Sequence, residues 1–161
     1  MTHESRLTAE VRRLLGERRS AALATIDPQG DPHVSMVPVA VEPSSGRLVL
    51  LVSGLAAHTG HMKHHARVSL LITDHEREGE PVHALSRLTV NGEAHFVAPE
   101  APDFEALQSA YLRRFPEAEP IAQLPDFRYV GVYVRSVRQV AGFGAARNID
   151  PEDFQRLLQS L

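Results

Sequence analysis

The chain has 161 residues, of which 43% are hydrophobic and 23% are charged, which suits one globular domain spanning residues 1–161. Its net charge of −3 and scattered basic residues argue against a nucleic-acid-binding surface, although one local anion site is compatible with them. The absence of cysteine excludes disulfides, thiolate metal sites and a cysteine nucleophile. No apolar run approaches the roughly 20 residues that span a bilayer, and the N-terminus lacks the apolar core of a secretory signal. We therefore expect a cytoplasmic protein with no nucleic acid or membrane among its partners.

The first third of the chain predicts one helix followed by three strands. The helix is expected over about 7–19, with Ser5 or Thr8 as its cap and an apolar face formed by Leu7, Val11, Leu14 and Leu15. Segments 21–26, 33–41 and 47–52 have the residue types of β-strands, and turns at 27–32 and 43–46 join them. This arrangement predicts an antiparallel meander, in which the third strand is apolar enough to be buried on both faces.

The rest of the chain continues this pattern with more strands and inserted helices. We expect a short helix over 56–66, a strand over 68–73, a loop over 74–86, and a strand over 88–97 with a bulge or bend at Asn91-Gly92. A helix over 103–115 ends at Pro116, strands follow at 127–134 and 137–140, and a flexible tail from 141 leads to a last helix over 151–161. The order is not an alternating βαβ pattern. It predicts a mainly β fold, an antiparallel barrel of six or seven strands over about 20–140 with peripheral helices.

The junction Ser53-Gly-Leu-Ala-Ala-His-Thr59 is the segment most suggestive of ligand chemistry. A buried strand ends at Ser53, and the next helix begins within four residues, so free backbone N–H groups and a positive helix end meet there. Flanked by the side chains of Ser53, His58 and Thr59, this is a competent phosphate-binding site. The alternative is that Ser53 and Thr59 are only capping residues, which are more common than anion sites.

Three segments together resemble a known family: Val-Ser-Met-Val-Pro at 34–38, Val-Ser-Gly-Leu-Ala-Ala-His-Thr at 52–59, and Val-Ala-Gly-Phe-Gly-Ala-Ala at 140–146. They resemble the pyridoxamine 5′-phosphate oxidase superfamily of flavin-binding split barrels, in particular its heme-utilisation, HugZ-like branch. The resemblance covers about residues 12–149. It implies a barrel that forms a homodimer, with a flavin mononucleotide (FMN) in each of two grooves between the subunits.

The resemblance also implies which residues bind the cofactor. The strand bearing Ser35, Met36, Val37 and Pro38 would run beside the flavin, while Ser53, His58 and Thr59 would hold its phosphate. Arg87 matches a polar position at the start of a strand. Its guanidinium is independently suited to a phosphate or a flavin carbonyl, although a solvated arginine at a strand end is the plainer interpretation.

Several positions depart from the pattern of the true oxidases. Those enzymes have an arginine at Ser35, a lysine at Ala40 and a lysine near Thr59, so three cations are replaced by neutral residues. Their Arg-x-His pair becomes Arg147-Asn148-Ile149, and the tryptophan that covers the flavin is missing because the chain has none. These differences argue against pyridoxamine phosphate oxidase activity and leave Arg147 as a candidate contact for an anionic substrate.

Four histidines at 58, 61, 64 and 65 raise the question of a metal or heme site. His61 and His65 are one helical turn apart, a workable spacing for two ligands, but no neighbouring carboxylate completes a set. A polar helix face is the simpler explanation, and we predict no structural metal. Heme-degrading members of the HugZ-like branch draw an iron ligand from a C-terminal extension. No histidine follows His95 here, so that extension is expected to be largely absent.

Three functions are compatible with these features. The first is an FMN-dependent oxidoreductase of unknown substrate, in which the flavin carries the electron chemistry. The second is a heme-binding or heme-degrading protein of iron utilisation. The third is a non-catalytic dimeric binding module built on the same barrel, since fold alone does not determine function.

Overall fold

The computed structural model describes residues 4–161 and arranges eight strands in one curled antiparallel sheet. The strands are β1 (Ser20–Ile26), β2 (Pro32–Pro38), β3 (Ala40–Glu42), β4 (Arg47–Ser53), β5 (Arg67–Thr73), β6 (Arg87–Val97), β7 (Phe127–Val140) and β8 (Ala146–Ile149). The helices are α1 (Arg6–Glu17), α2 (Ala57–His64), α3 (Phe104–Arg114), α4 (Glu119–Ala122) and α5 (Pro151–Gln159). None of these helices within residues 4–161 has the length and apolarity needed to cross a membrane.

The sheet confirms the predicted mainly β split barrel. Its strand order is β2-β1-β5-β6-β7-β4-β3, with β8 added beside β7, and all pairings are antiparallel. The seven predicted segments become eight strands because 33–41 divides in two, 127–134 and 137–140 join as β7, and β8 was not predicted.

The predicted three-stranded meander is wrong. The segment 33–41 is not one strand but divides at Val39, whose N–H donates to the carbonyl of Arg19 at 3.0 Å. Before this point β2 pairs with β1, and after it β3 pairs with β4. The two parts therefore lie at opposite ends of the strand order. Pro38 stands at the division, where its lack of an N–H group suits the end of a strand.

The C-terminal region also differs from the prediction. Strand β7 runs unbroken through the predicted gap at 135–136, because β6 pairs with it along nearly its whole length. The expected flexible tail turns at Gly142 and Gly144, both with positive φ, and returns as β8. The final amphipathic helix is confirmed as α5, with Phe154, Leu157 and Leu158 buried.

Apart from α4, which was not predicted, the remaining elements match the prediction closely. Ser5 caps α1 by accepting a hydrogen bond from the Thr8 N–H at 3.1 Å. The register of β6 against β7 shifts between Asn91 and Gly92, which confirms the bulge. A Cβ at Gly92 would lie 2.4 Å from the Tyr133 carbonyl oxygen, so glycine is required there. Strand β4 is buried on both faces, one against the barrel core and the other beneath α3.

An ion pair fastens α1 to the sheet. Arg13 Nη2 lies 2.6 Å from Oδ2 of Asp74, a buried residue at the end of β5, and Arg77 Nη1 lies 3.3 Å from the same oxygen. The hydrogen bond from Arg13 lowers the pKa of Asp74 from 3.8 to about 2, against the opposing effect of burial. The carboxylate form is therefore bound more strongly in the folded state than in the unfolded one.

We predict that Asp74→Asn destabilises the protein at neutral pH. We also expect its free energy of unfolding to fall less steeply than that of the wild type as the pH is lowered. Because the folded-state pKa is depressed, this stability is complete above pH 3.8 and is lost as pH falls towards about 2. The shift corresponds to about 2 kcal/mol, which is the expected difference in the free energy of unfolding at pH 7. Urea denaturation at several pH values measures it. Glu117→Gln, which removes the exposed partner of Arg19, is the control and should change little. Parallel curves for wild type and Asp74→Asn across the acid range would contradict the prediction.

Candidate functional site

The β4–α2 junction is held by the hydroxyl groups that the sequence places there. Thr59 is buried and its Oγ1 donates to the Ser53 carbonyl at 2.6 Å. Ser53 Oγ donates to Asp126 Oδ2 at 2.8 Å and accepts from the Leu55 N–H at 3.1 Å. Both hydroxyls are thus engaged within the junction, but neither caps α2, because its N-cap residue is Ala56, which makes no side-chain cap hydrogen bond. The Asp126 carboxylate also adds negative charge where a phosphate was predicted.

His58 reaches from α2 to strand β2. Its Nδ1 lies 3.0 Å from Ser35 Oγ, and both residues are half-buried. Burial lowers the pKa of His58, and the neighbouring His33 and His61 lower it further, since a second positive charge beside them would be repelled. The imidazole is therefore neutral at physiological pH. A neutral ring with one nitrogen fixed by a hydrogen bond can offer the other nitrogen to a ligand.

A second hydrogen bond on the same helix extends this group. His61 Nδ1 lies 2.9 Å from Thr25 Oγ1, and the His61 ring meets the His33 ring edge-on at 5.0 Å between centroids. Thr25 and His33 are paired across β1 and β2, as are Leu23 and Ser35. We call His33, His58 and His61, with Ser35 and Thr25, the histidine cluster.

Thr25 and His33 were not among the predicted site residues. The sequence feature that could have identified them is the β1–β2 hairpin, whose turn at 27–31 places Thr25 opposite His33 and Leu23 opposite Ser35. Because side chains alternate along a strand, Thr25, His33 and Ser35 share one face. The proximity of α2 to that face is a tertiary contact that no local pattern contains.

The other histidines of α2 do not join the cluster. His64 is exposed, and His65 Nδ1 accepts from the Arg67 N–H at 3.3 Å. His61 and His65 are thus engaged by different partners. Within residues 4–161, no three His, Cys, Asp or Glu side chains are grouped closely enough to hold a metal ion.

Strand β2 presents its predicted flavin-side residues on two opposite faces. Ser35 and Val37 face the barrel interior, where Val37 is buried. Met36 faces outward and is 69% exposed, and Pro38 is also exposed. Only Ser35 of these four side chains hydrogen-bonds to α2 among the described residues.

Arg87 lies on the outer face of the sheet. Neighbouring strands pair Met36 with Ala22, Ala22 with Leu71, and Leu71 with Thr89. Arg87 is two residues from Thr89 on β6. Arg87 therefore shares a face with Met36 and not with Ser35. Its Nη1 donates to the carbonyls of Leu85 at 2.8 Å and His83 at 3.4 Å, which holds the guanidinium near the preceding turn.

Arg147 lies on β8 and faces α1. Its Nε donates to Oε1 of the fully buried Gln139 at 2.7 Å, and Gln139 Nε2 donates to the Leu7 carbonyl at 2.8 Å. Gln139 pairs with Leu88 on one side and Arg147 on the other, so Arg147 and Arg87 lie on opposite faces of the sheet. The structure thus does not bring Arg147 together with Arg87.

Comparisons with known proteins place this geometry in a family. Residues 7–142 match the family model described as pyridoxamine 5′-phosphate oxidase. Heme oxygenase HutZ from Vibrio cholerae is 30% identical over 151 residues, which cover 93% of this chain and 85% of HutZ.

Two solved structures agree with this match. The heme binding protein from Mycobacterium smegmatis is 28% identical with a TM-score of 0.82, over 96% of this chain and 62% of that protein, so this chain spans less than two thirds of its length. A crystal structure of HutZ from V. cholerae, described as a heme storage protein, is 27% identical with a TM-score of 0.75, over 83% of this chain and 94% of that one. With most of its length matched by the family model, the chain belongs to the pyridoxamine 5′-phosphate oxidase family, in its HugZ-like branch.

Proposed function

We propose that this protein binds heme and that the histidine cluster supplies its contact with the iron. The observation that carries the proposal is the 30% identity to heme oxygenase HutZ over 93% of the chain. Similarity to the heme binding protein of M. smegmatis supports the same ligand. Of the functions compatible with the sequence, heme binding is therefore ranked above FMN-dependent oxidoreduction.

His58 is the residue we assign to the iron. Its lowered pKa keeps the ring neutral, which is the form that binds iron. When Nδ1–H donates to Ser35 Oγ, the lone pair resides on Nε2, the nitrogen that has no hydrogen-bond partner within residues 4–161. Heme, when bound, would supply the redox chemistry of the iron. The chain itself contributes the orientation of the His58 ring, which its contact with Ser35 sets.

We expect His58→Ala to weaken hemin binding at least tenfold, because the variant lacks the assigned ligand, and Ser35→Ala to weaken it by about tenfold through loss of its orienting hydrogen bond. Titration of purified protein with hemin, followed through the Soret band, measures both. His95→Ala removes an exposed histidine on β6 and serves as the matched control. Loss of the Soret band in air with ascorbate would extend the function from binding to breakdown. Unchanged affinity in His58→Ala would exclude this assignment.

FMN is the second candidate cofactor, and membership of the oxidase family is what favours it. The contacts at the β4–α2 junction support it less, since Ser53 and Thr59 already hydrogen-bond within the chain. Pyridoxamine phosphate itself is a poorer candidate substrate. Ile149, at the position of the oxidase histidine, is buried in the hydrophobic core.

If FMN binds as the resemblance implies, Arg87→Ala should weaken it by about tenfold through loss of one charge-assisted contact. The test is saturable quenching of FMN fluorescence on addition of the protein. Arg156→Ala, at an exposed position on α5, is the control for loss of one positive charge. Protein that is colourless when purified and does not quench added FMN would remove the flavin proposal and leave the heme proposal untouched.

We also propose that the protein is a homodimer formed through the outer face of the sheet. Val34 is 64% exposed, Met36 is 69% exposed, and Leu71 lies beside them across the half-buried Ala22. A contiguous exposed apolar surface of this kind is typical of an interface. If a second copy covers this face, Arg87 would lie at the edge of the dimer contact.

Met36→Glu is expected to convert a dimer into a monomer, because it would bury an unpaired carboxylate in the interface. Light scattering coupled to gel filtration gives the mass directly. Leu124→Glu introduces the same charge at an exposed leucine after α4 and should leave the dimer intact. A monomeric wild-type protein, or a dimer unaffected by Met36→Glu, would contradict this interface.

A further inference from the structure

A cavity of about 360 Å³ lies at the end of the barrel opposite the histidine cluster. Thr25 and His33 pair near one end of the β1–β2 hairpin, whereas Ser20 and Pro38 pair at the other end. The cavity lies at this second end, between the end of α1, strand β3 and helix α3. Its apolar lining consists largely of buried core residues: Leu15, Val39, Ala40, Leu48 and Ile72.

Three arginines also line this cavity. Arg18 is the C-terminal cap of α1, and Arg113 and Arg114 occupy the last turn of α3. Within residues 4–161, none of them forms an ion pair with a carboxylate. Burial and the nearby Arg19 lower the pKa of Arg114, as expected for a cation without a compensating anion. The cavity therefore combines an apolar lining with three guanidinium groups that no carboxylate of residues 4–161 pairs.

Helix C-termini attract cations, which accounts for part of this arrangement. Arg114 Nη2 donates to the carbonyls of Leu15 at 3.4 Å and Arg18 at 3.1 Å, and so ties α3 to the end of α1. Arg18 also stands at a helix C-terminus, but one of its donors remains unpaired. Its Nη1 contacts the His75 ring, but its Nε is buried with no hydrogen-bond partner. A buried donor left unpaired is costly, so an acceptor at this position would stabilise the protein.

We propose that this cavity binds an aliphatic carboxylate, with the hydrocarbon chain against the apolar lining and the carboxylate beside Arg18 and Arg113. An inorganic anion would leave the apolar lining unused, and a neutral hydrocarbon would leave the arginines unpaired. The planar guanidinium group matches a carboxylate in two hydrogen bonds. The volume falls in the range of about 300–1,000 Å³ found for small-molecule sites. The site is separate from the histidine cluster, which lies at the other end of the barrel.

Titration of the full chain with sodium dodecanoate, below its micelle-forming concentration and followed by calorimetry, tests this site. We expect saturable binding with one site per chain. Dodecan-1-ol has the same chain without the charge and should bind at least tenfold more weakly. This comparison uses only wild-type protein and so does not depend on how any variant folds. Absence of saturable dodecanoate binding, or equal affinity for the alcohol, would overturn the proposal.

Two substitutions then locate the carboxylate. Arg18→Gln and Arg113→Gln should each weaken dodecanoate binding by about tenfold, since each removes a charged hydrogen-bond donor. Arg138→Gln removes the same charge from the exposed side of β7 and should bind like wild type. Arg114 is left in place because it joins α1 to α3. If Arg18→Gln and Arg113→Gln both retain wild-type affinity and stability, dodecanoate binds elsewhere and the assignment is wrong. Hemin affinity should be the same in all three variants.

Discussion

The architecture depends on the division of one extended segment at Pro38 and Val39. Up to this point the chain pairs with β1, and from Ala40 onward it pairs with β4. The division places β2 and β3 at opposite ends of the strand order of the curled sheet. The first strands of the chain therefore do not form one continuous meander. Both candidate sites follow from it. At one end of the barrel, β2 brings Ser35 beneath α2, and at the other, Val39 and Ala40 line the arginine-bearing cavity.

In the histidine cluster, burial favours the neutral form of an imidazole and a neighbouring hydroxyl group orients it. Clustered histidines would repel one another if all were protonated, and burial already favours the neutral form of His58. Ser35 and Thr25 then each fix one ring nitrogen, of His58 and His61 respectively. The oxidases have an arginine at Ser35. A hydroxyl in place of that cation removes an anion-binding group and supplies a hydrogen-bond partner for the neutral His58 ring. The position then suits a ligand of the imidazole better than a phosphate.

Sequence patterns predicted those structural elements that depend on residues close together in the chain. The N-terminal cap of α1, the end of α3 before Pro116 and the bulge at Asn91-Gly92 all rest on neighbouring residues, and all were confirmed. Both predicted hairpins form, as β1–β2 and β3–β4, but the continuous meander failed because the strand between them divides at Val39. The turn residues at 27–32 and 43–46 do not indicate where that division falls. Of the candidate site, Ser35 and His58 were found through family resemblance. Thr25 and His33 required the hairpin register and the position of α2, which are tertiary facts.

A buried charge network holds the N-terminal end of α3, whose last turn carries arginines of the cavity. Arg47 is buried, with its Nη1 2.7 Å from Asp103 Oδ2 at the start of α3 and its Nη2 3.9 Å from Glu42 Oε2. Burial alone would raise the pKa of Glu42, but hydrogen bonds from Ser44 and Ser45 outweigh it and lower that pKa. The network therefore remains charged and links the β3–β4 turn to the first residue before α3. Because α3 is one continuous helix, the contacts that hold its first turn against the β3–β4 turn also determine where the arginines of its last turn lie beside the cavity.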